Sequence, residues 1–279
     1  MERCGTIWKR AVLWGMLLYG FVIRCEAGND NHPTGARSAG TATASVTHTD
    51  IWASANNQAG LAWLEEAAAA LYYENRWNMQ PLPVHAGVVA LPVKATVIGV
   101  SYRYFGFSKY NETKIGLAAA KKLWEKFALG VQVDYFRTYF AYDYGKFNVL
   151  SAEAGLLYEP VKHLTVGMHV FNMLQSKHRE YTGEYIPTVM RFGVGYTIPE
   201  RAVISVETEK DLRMKPVFKA GLEFMPVKNV CLRYGMSNGL MYQYAFGIGY
   251  SWKRCTFDMA FSRHKLLGYS PHISVIAHL

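Results

Sequence analysis

Charge is scarce in this 279-residue chain. Asp, Glu, Lys and Arg together make up 18%, where a soluble domain carries about a quarter. Cysteine is scarcer: there are four, and only Cys231 and Cys255 lie beyond the N-terminal 27 residues. So few cysteines exclude a disulfide scaffold. Cys231 and Cys255 fall on different alternating segments and on opposite faces, so they are not expected to pair. No CxxC and no His/Cys cluster is present, so neither a metal site nor a cofactor is expected. GxSxG and HExxH are absent, and His169, His264 and His272 are catalytic candidates only by residue type. No catalytic residue is therefore assigned. The net charge of +9 is modest and forms no basic tract interleaved with stacking aromatics, which excludes nucleic acid as a partner. Past the N-terminus no apolar run reaches the roughly 20 residues of a membrane helix.

Residues 1–27 have the layout of a secretory signal peptide. Arg3, Lys9 and Arg10 form a basic start, Ala11 to Ile23 an apolar core, and Cys25-Glu26-Ala27 a cleavage site with small residues. The apolar core is too short for a span. Arg24, just before Cys25, argues against a lipoprotein box.

Aromatics and glycine are plentiful, at 14% aromatic with 19 Tyr, and 24 Gly. From about residue 66 they fall into period-two alternation. In Tyr242 to Trp252, one face carries Tyr242, Tyr244, Phe246, Ile248, Tyr250 and Trp252. The other carries Gln243, Ala245, Gly247, Gly249 and Ser251. A soluble sandwich buries its bulky face and charges the other. Bulk opposite tiny residues fits a membrane barrel, whose bulky face meets lipid.

Four connections resemble one another: Leu91-Pro-Val-Lys94, Glu159-Pro-Val-Lys162, Ile198-Pro-Glu-Arg201 and Met225-Pro-Val-Lys228. Lys121 to Lys126 and Lys253-Arg254 fill the same role. Proline presets φ for a turn and withholds a ladder donor. Counting between these turns predicts fourteen strands, at 66–76, 84–91, 95–106, 111–121, 127–138, 147–158, 164–172, 187–197, 202–208, 216–225, 229–236, 242–252, 255–262 and 271–279. The Ala-rich stretch 67–77 reads equally as a helix. The expected fold is all-β: a closed antiparallel transmembrane β-barrel of about 14 strands, residues 65–279, with longer loops opposite the short turns. Hydrocarbon leaves no edge unpaired, so the first and last strands must meet. Tyr102, Tyr104, Tyr135, Tyr250 and Trp252 are read as an interfacial belt at strand ends.

A barrel this wide is not filled by its own side chains, and its inward faces are rich in Gly, Ala and Ser. Residues 28–64 are small enough to pack inside and are read as an N-terminal lumenal plug. The stretch GARSAGTATASVTHTDIWASANNQAGLA resembles the N-terminal segment of FadL-like outer-membrane proteins, in particular the PorV/PorQ family of Bacteroidetes. Gly35, Ala36, Arg37, Ala39 and Gly40 match one motif. Asp50, Ala53, Asn57, Ala59, Gly60, Leu61 and Ala62 match a second, with Gln58 where proline is usual. Leu279 departs from the usual C-terminal aromatic. The resemblance implies localisation in the outer membrane after cleavage. It implies either transport of hydrophobic small molecules, gated by the plug, or a part in type IX protein secretion. The expected partners are membrane lipid, with a hydrophobic ligand or envelope secretion proteins. A transporter is expected to show an apolar pocket beside residues 35–62 and a gap or kink in the wall.

The plug positions singled out are Gly35, Arg37, Gly40, Asp50, Asn57 and Gly60. Asn56, Asn57 and Gly60 also read as a tight turn. The inward faces place Arg103, Asp134, Glu153, His169, Arg191, Glu207, Lys219, Glu223, Arg233 and Asp258 in the lumen. They form either a ligand-orienting path or a mixed-sign network satisfying the plug, since buried charges are normally paired. Arg37 is expected to anchor the plug to a carboxylate such as Glu153 or Asp258.

Overall fold

The computed structural model describes residues 31–79, 82–141, 145–176, 186–239 and 244–279. The expected signal peptide, residues 28–30 and most of the 173–186 connection lie outside them. Fourteen strands follow in chain order: β1 (Ala68–Asn75), β2 (Pro83–Val93), β3 (Thr96–Phe107), β4 (Tyr110–Trp124), β5 (Phe127–Phe140), β6 (Lys146–Val161) and β7 (Leu164–Phe171). Then come β8 (Val189–Ile198), β9 (Ala202–Asp211), β10 (Val217–Val227), β11 (Val230–Ser237), β12 (Tyr244–Trp252), β13 (Cys255–His264) and β14 (Gly268–His278). Each pairs antiparallel with its chain neighbours, and β1 pairs with β14 from Ala68↔His278 to Glu74↔His272, closing the barrel. The Ala-rich stretch is a strand, ending in a short 3-10 turn at Arg76–Asn78. β1 alone has Ala and Tyr at alternating depths, and a helix there would leave β2 and β14 as open edges in hydrocarbon.

The alternation has the expected sense. In β12, Phe246 is 57% exposed and Ala245 is fully buried. Leu71, Leu117, Val133, Leu150, Phe192, Phe218 and Ile248 all stand on the outer surface, as lipid-facing side chains do. The short turns sit at one end, with both barrel termini. Their backbones turn through left-handed residues, Lys94, His163, Glu200 and Lys253, the geometry two-residue hairpins favour. Register shifts interrupt β6–β7 between Tyr158 and Val161, and β10–β11 between Phe224 and Val227. Pro160 and Pro226 stand there, where a missing N–H breaks the ladder.

Two details depart from expectation. The connection 108–109, at the long-loop end, is as tight as any opposite it. Tyr102 and Tyr135 are outward but mid-strand rather than at strand ends, because β3–β6 run 12–16 residues, beyond the 9–11 a span needs. Trp252 and Tyr250 do flank a short turn.

An arginine at the middle of the outer band meets hydrocarbon. Val133→Arg is expected to lower folding stability in lipid vesicles by about 2–4 kcal/mol, read from urea titration by the fraction that keeps its faster migration when loaded unboiled on a gel.

Candidate functional site

Residues 33–64 lie against the inward faces of the strands. Their backbone touches the wall at several of its inward glycines. A Cβ added at Gly130 would sit 2.3 Å from the Ala59 nitrogen, and one at Gly235 2.2 Å from the Ala42 nitrogen. The glycine-rich inner faces are therefore docking surfaces for this segment. It begins with a one-turn helix at Ala36–Gly40 against β11–β14, and ends in a 3-10 helix at Gln58–Trp63 against β3–β6.

Each motif residue has a local task. Gly35 adopts φ +104° against the Trp52 ring. Gly40 packs on the Gly247 backbone. Asp50 accepts from Trp52 N at 2.8 Å and pairs with Arg37. Asn57 donates to the Val46 carbonyl at 2.6 Å and accepts from Ala59 N. Gly60 fits under the His48 carbonyl, which a Cβ would approach to 2.3 Å. The turn at Asn57–Gly60 forms with Gln58 where the motif it resembles has proline. Gln58 in that place donates to Glu153 at 2.7 Å. Asn56 exchanges two hydrogen bonds with the Thr34 backbone.

The ionisable side chains assemble in two groups on the β4–β13 side. In the first, Arg37 meets Glu223 through Nε and Nη2, at 3.0 and 2.6 Å, and Asp50 through Nη1 at 3.0 Å. Arg233 joins Glu223 at 2.9 Å to Asp258 at 2.6 Å. Arg37 thus pairs with Glu223 and Asp50, not with Glu153 or Asp258. Asp258 is taken by Arg233. Glu153 belongs to the second group, across the lumen. There it meets Lys114, Gln58 and His169, the last at 2.9 Å. Arg191 donates to His169 Nδ1 at 2.9 Å and to the Asn56 carbonyl at 2.6 Å. Since Nδ1 accepts, Nε2 carries the proton that Glu153 receives. Asp134 lies 3.5 Å from Lys114 and accepts from Gln132. Glu207 accepts from the backbones of Ser45 and Val46, both at 2.8 Å, and Lys219 pairs with Glu207 and Glu209.

Lys114, His48 and the buried pair of Glu74 and Arg76 were not among the expected residues, and Gln58 was read only as a departure from the motif. Lys114 stood on the same inward alternation as Gly116 and Ala118, so the same count would have found it. His48 and Gln58 carried no periodic signal.

The opposite side of the lumen carries an apolar cluster beside a buried Glu74–Arg76 pair at 3.3 Å. Ile51, Trp52 and Leu61 pack with Ala68, Ala70, Tyr72, Val84, Val88, Val97 and Ile276. Beside them, Thr34, Ser101, Arg103, Lys114, Val88, Tyr102 and Phe171 line a cavity of about 20 Å³, room for roughly one water. On the outer face, Ala69, Leu71, Gly87, Val89, Val100 and Val275 border an apolar groove of about 470 Å³. Val88 and Tyr102 border both. The large apolar pocket and the gap expected of a transporter are not seen among the described residues: the segment fills the lumen, and strand pairing is unbroken around the wall. His264 serves its own turn, its Nδ1 accepting from Leu266 and Leu267 N. His272 is buried between Ser262 and Tyr72, each at 2.7 Å.

The closed fourteen-stranded barrel is a FadL-like fold. It superposes on the CymD monoaromatic hydrocarbon channel with TM-score 0.67 at 12% identity, covering 90% of this chain and 99% of that one. A FadL homologue of Pseudomonas aeruginosa gives 0.62 at 12% identity, over 90% and 99%. The toluene transporter TbuX of Ralstonia pickettii gives 0.61 at 12%, over 91% and 98%. No family model matches the sequence, and neither does any curated protein.

Glu223 holds two arginines at once. Glu223→Gln is expected to cost about 3 kcal/mol, the lower end for a broken buried pair, because each arginine keeps a second carboxylate; thermal unfolding measures it. His48 is buried beside Arg37, and burial first, then that charge, lowers its pKa from 6.5 to about 4. The folded state therefore disfavours the proton. This stability is complete above pH 6.5 and is lost as pH falls toward 4. Between pH 7.5 and 5 the loss from His48 is about 2 kcal/mol. His48→Gln is expected to flatten that part of the stability–pH curve.

Proposed function

We propose that the chain is an outer-membrane transporter of small hydrophobic molecules, with residues 28–64 as its lumenal plug. One observation carries the reading: the lumen of a FadL-like barrel is filled by a segment held to the wall through the Arg37–Glu223 ion pair and hydrogen bonds to Glu153, Glu207 and Arg191. A filled lumen argues against a non-specific porin, whose wide channel must hold water. The division of the lumen supports an apolar cargo. Polar anchoring falls on β4–β13, and the plug presents Ile51, Trp52 and Leu61 to β1–β4. On that side an inner cavity, whose lining includes Arg103 and Lys114, shares the wall residues Val88 and Tyr102 with an outer groove.

With the wall fully paired and the cavity the size of a water, this is the closed state. Passage requires the plug to shift on its apolar side while the Arg37–Glu223 pair keeps it tethered. The reading as a type IX secretion component has no observation of the fold behind it.

Cells expressing the chain in an outer membrane otherwise poor in uptake are expected to accumulate a small apolar probe such as toluene faster than controls. Liposomes carrying the protein are expected not to swell in hydrophilic sugars. Arg37→Ala is expected to raise sugar permeability by loosening the tether. Equal toluene uptake with and without the protein would sink the reading.

A further inference from the structure

The outer surface of β4–β6 carries a patch that transport does not use. These three strands rise above the apolar band at the long-loop end, and their register stacks outward side chains in rows. Leu117, Val133 and Ala152 form one row, and Ile115, Tyr135 and Leu150 the next. The following row is Thr113, Arg137 and Asn148, and above it come Asn111, Tyr139 and Lys146. Within one step the wall changes from hydrocarbon-facing to rich in hydrogen-bonding groups. Tyr102 and Tyr135 mark that step, as aromatics do at the depth of lipid headgroups.

Arg137 and Lys146 are both exposed. They occupy diagonal positions on adjacent strands, since Arg137 faces Asn148 and Tyr139 faces Lys146. Such neighbours lie roughly 7–8 Å apart, within reach of one phosphate for two long cationic side chains. The Lys146 ammonium stands 5.9 Å from the Tyr139 ring centre. No carboxylate occupies an outward position in these two rows. Glu112 faces the lumen side and accepts from Tyr110. Among the described residues the two cations have no carboxylate partner, and they are set among three neutral hydrogen-bonding side chains and a tyrosine ring.

We propose that this patch binds the headgroup of a phosphorylated glycolipid in the outer leaflet. Arg137 and Lys146 take the phosphate, while Asn111, Thr113 and Asn148 take sugar hydroxyls. The proposal rests on the outer-membrane reading, which puts the long-loop end outside and the short turns in the periplasm. Charge complementarity selects the phosphate. Three neutral polar side chains in two adjacent rows select a sugar-bearing headgroup over a simple phospholipid.

The test uses the full mature chain, with native mass spectrometry and thermal unfolding in mild detergent. The probes are diphosphoryl lipid A, its dephosphorylated form, phosphatidylglycerol and inorganic phosphate. Diphosphoryl lipid A is expected to be retained and to stabilise the fold, and the other three much less. R137Q/K146Q is expected to weaken that binding roughly tenfold or more, and K253Q/R254Q at the opposite rim to leave it unchanged. Equal binding by the R137Q/K146Q variant, or equal binding of phosphatidylglycerol or inorganic phosphate, would overturn the proposal alone. A chain whose gel migration is the same boiled and unboiled removes the membrane reading and this proposal with it.

Discussion

Hydrocarbon offers a peptide group nothing to bond. Every N–H and C=O crossing it must find a partner in the protein, so the sheet has to close. Most of the remaining architecture follows. Fourteen strands enclose a space their own side chains do not fill. A chain segment occupies it, and that segment brings backbone polar groups and charges into a place shielded from water.

The lumen resolves this by dividing its labour. On the β4–β13 side, carboxylates and cations from the wall complete the segment's polar groups: Glu207 on two backbone N–H groups, Glu223 on Arg37, Arg191 on the Asn56 carbonyl. On the β1–β4 side Trp52, Ile51 and Leu61 meet alanine and valine, and the buried Glu74–Arg76 pair is made within the barrel chain itself. Breaking a dense ionic network costs several kcal/mol in one step, whereas apolar contact is non-directional and gives way gradually. The ionic side is suited to hold the segment in place.

The same rule orders the outside. Bulky side chains face lipid because small ones are needed inward, where the segment's backbone comes within van der Waals distance of Gly130 and Gly235. Where β4–β6 outrun the membrane, the outward residues turn polar within one row. The barrel surface therefore records the depth of the bilayer as a change of composition along a strand.

The fold was legible because its information is local. Period-two alternation, proline at short turns and an even strand count each act over a few residues, so the strands were found almost to their ends, although Ala68–Asn75 needed its neighbours to decide strand over helix. The inward positions of Glu153, Glu223, Arg233 and Asp258 followed from the same alternation. Their partners did not. Arg37 meets Glu223, 186 residues away, because the Ala36–Gly40 helix lies on β11–β14; no spacing in the chain records that placement. The sequence by itself determined which face of each strand meets lipid and that the lumen needs an occupant, since both depend on side-chain size at alternate positions. Only the tertiary structure decided which carboxylate holds which cation and which side of the lumen is apolar, because those depend on how one segment lies across fourteen strands that approach it from every direction.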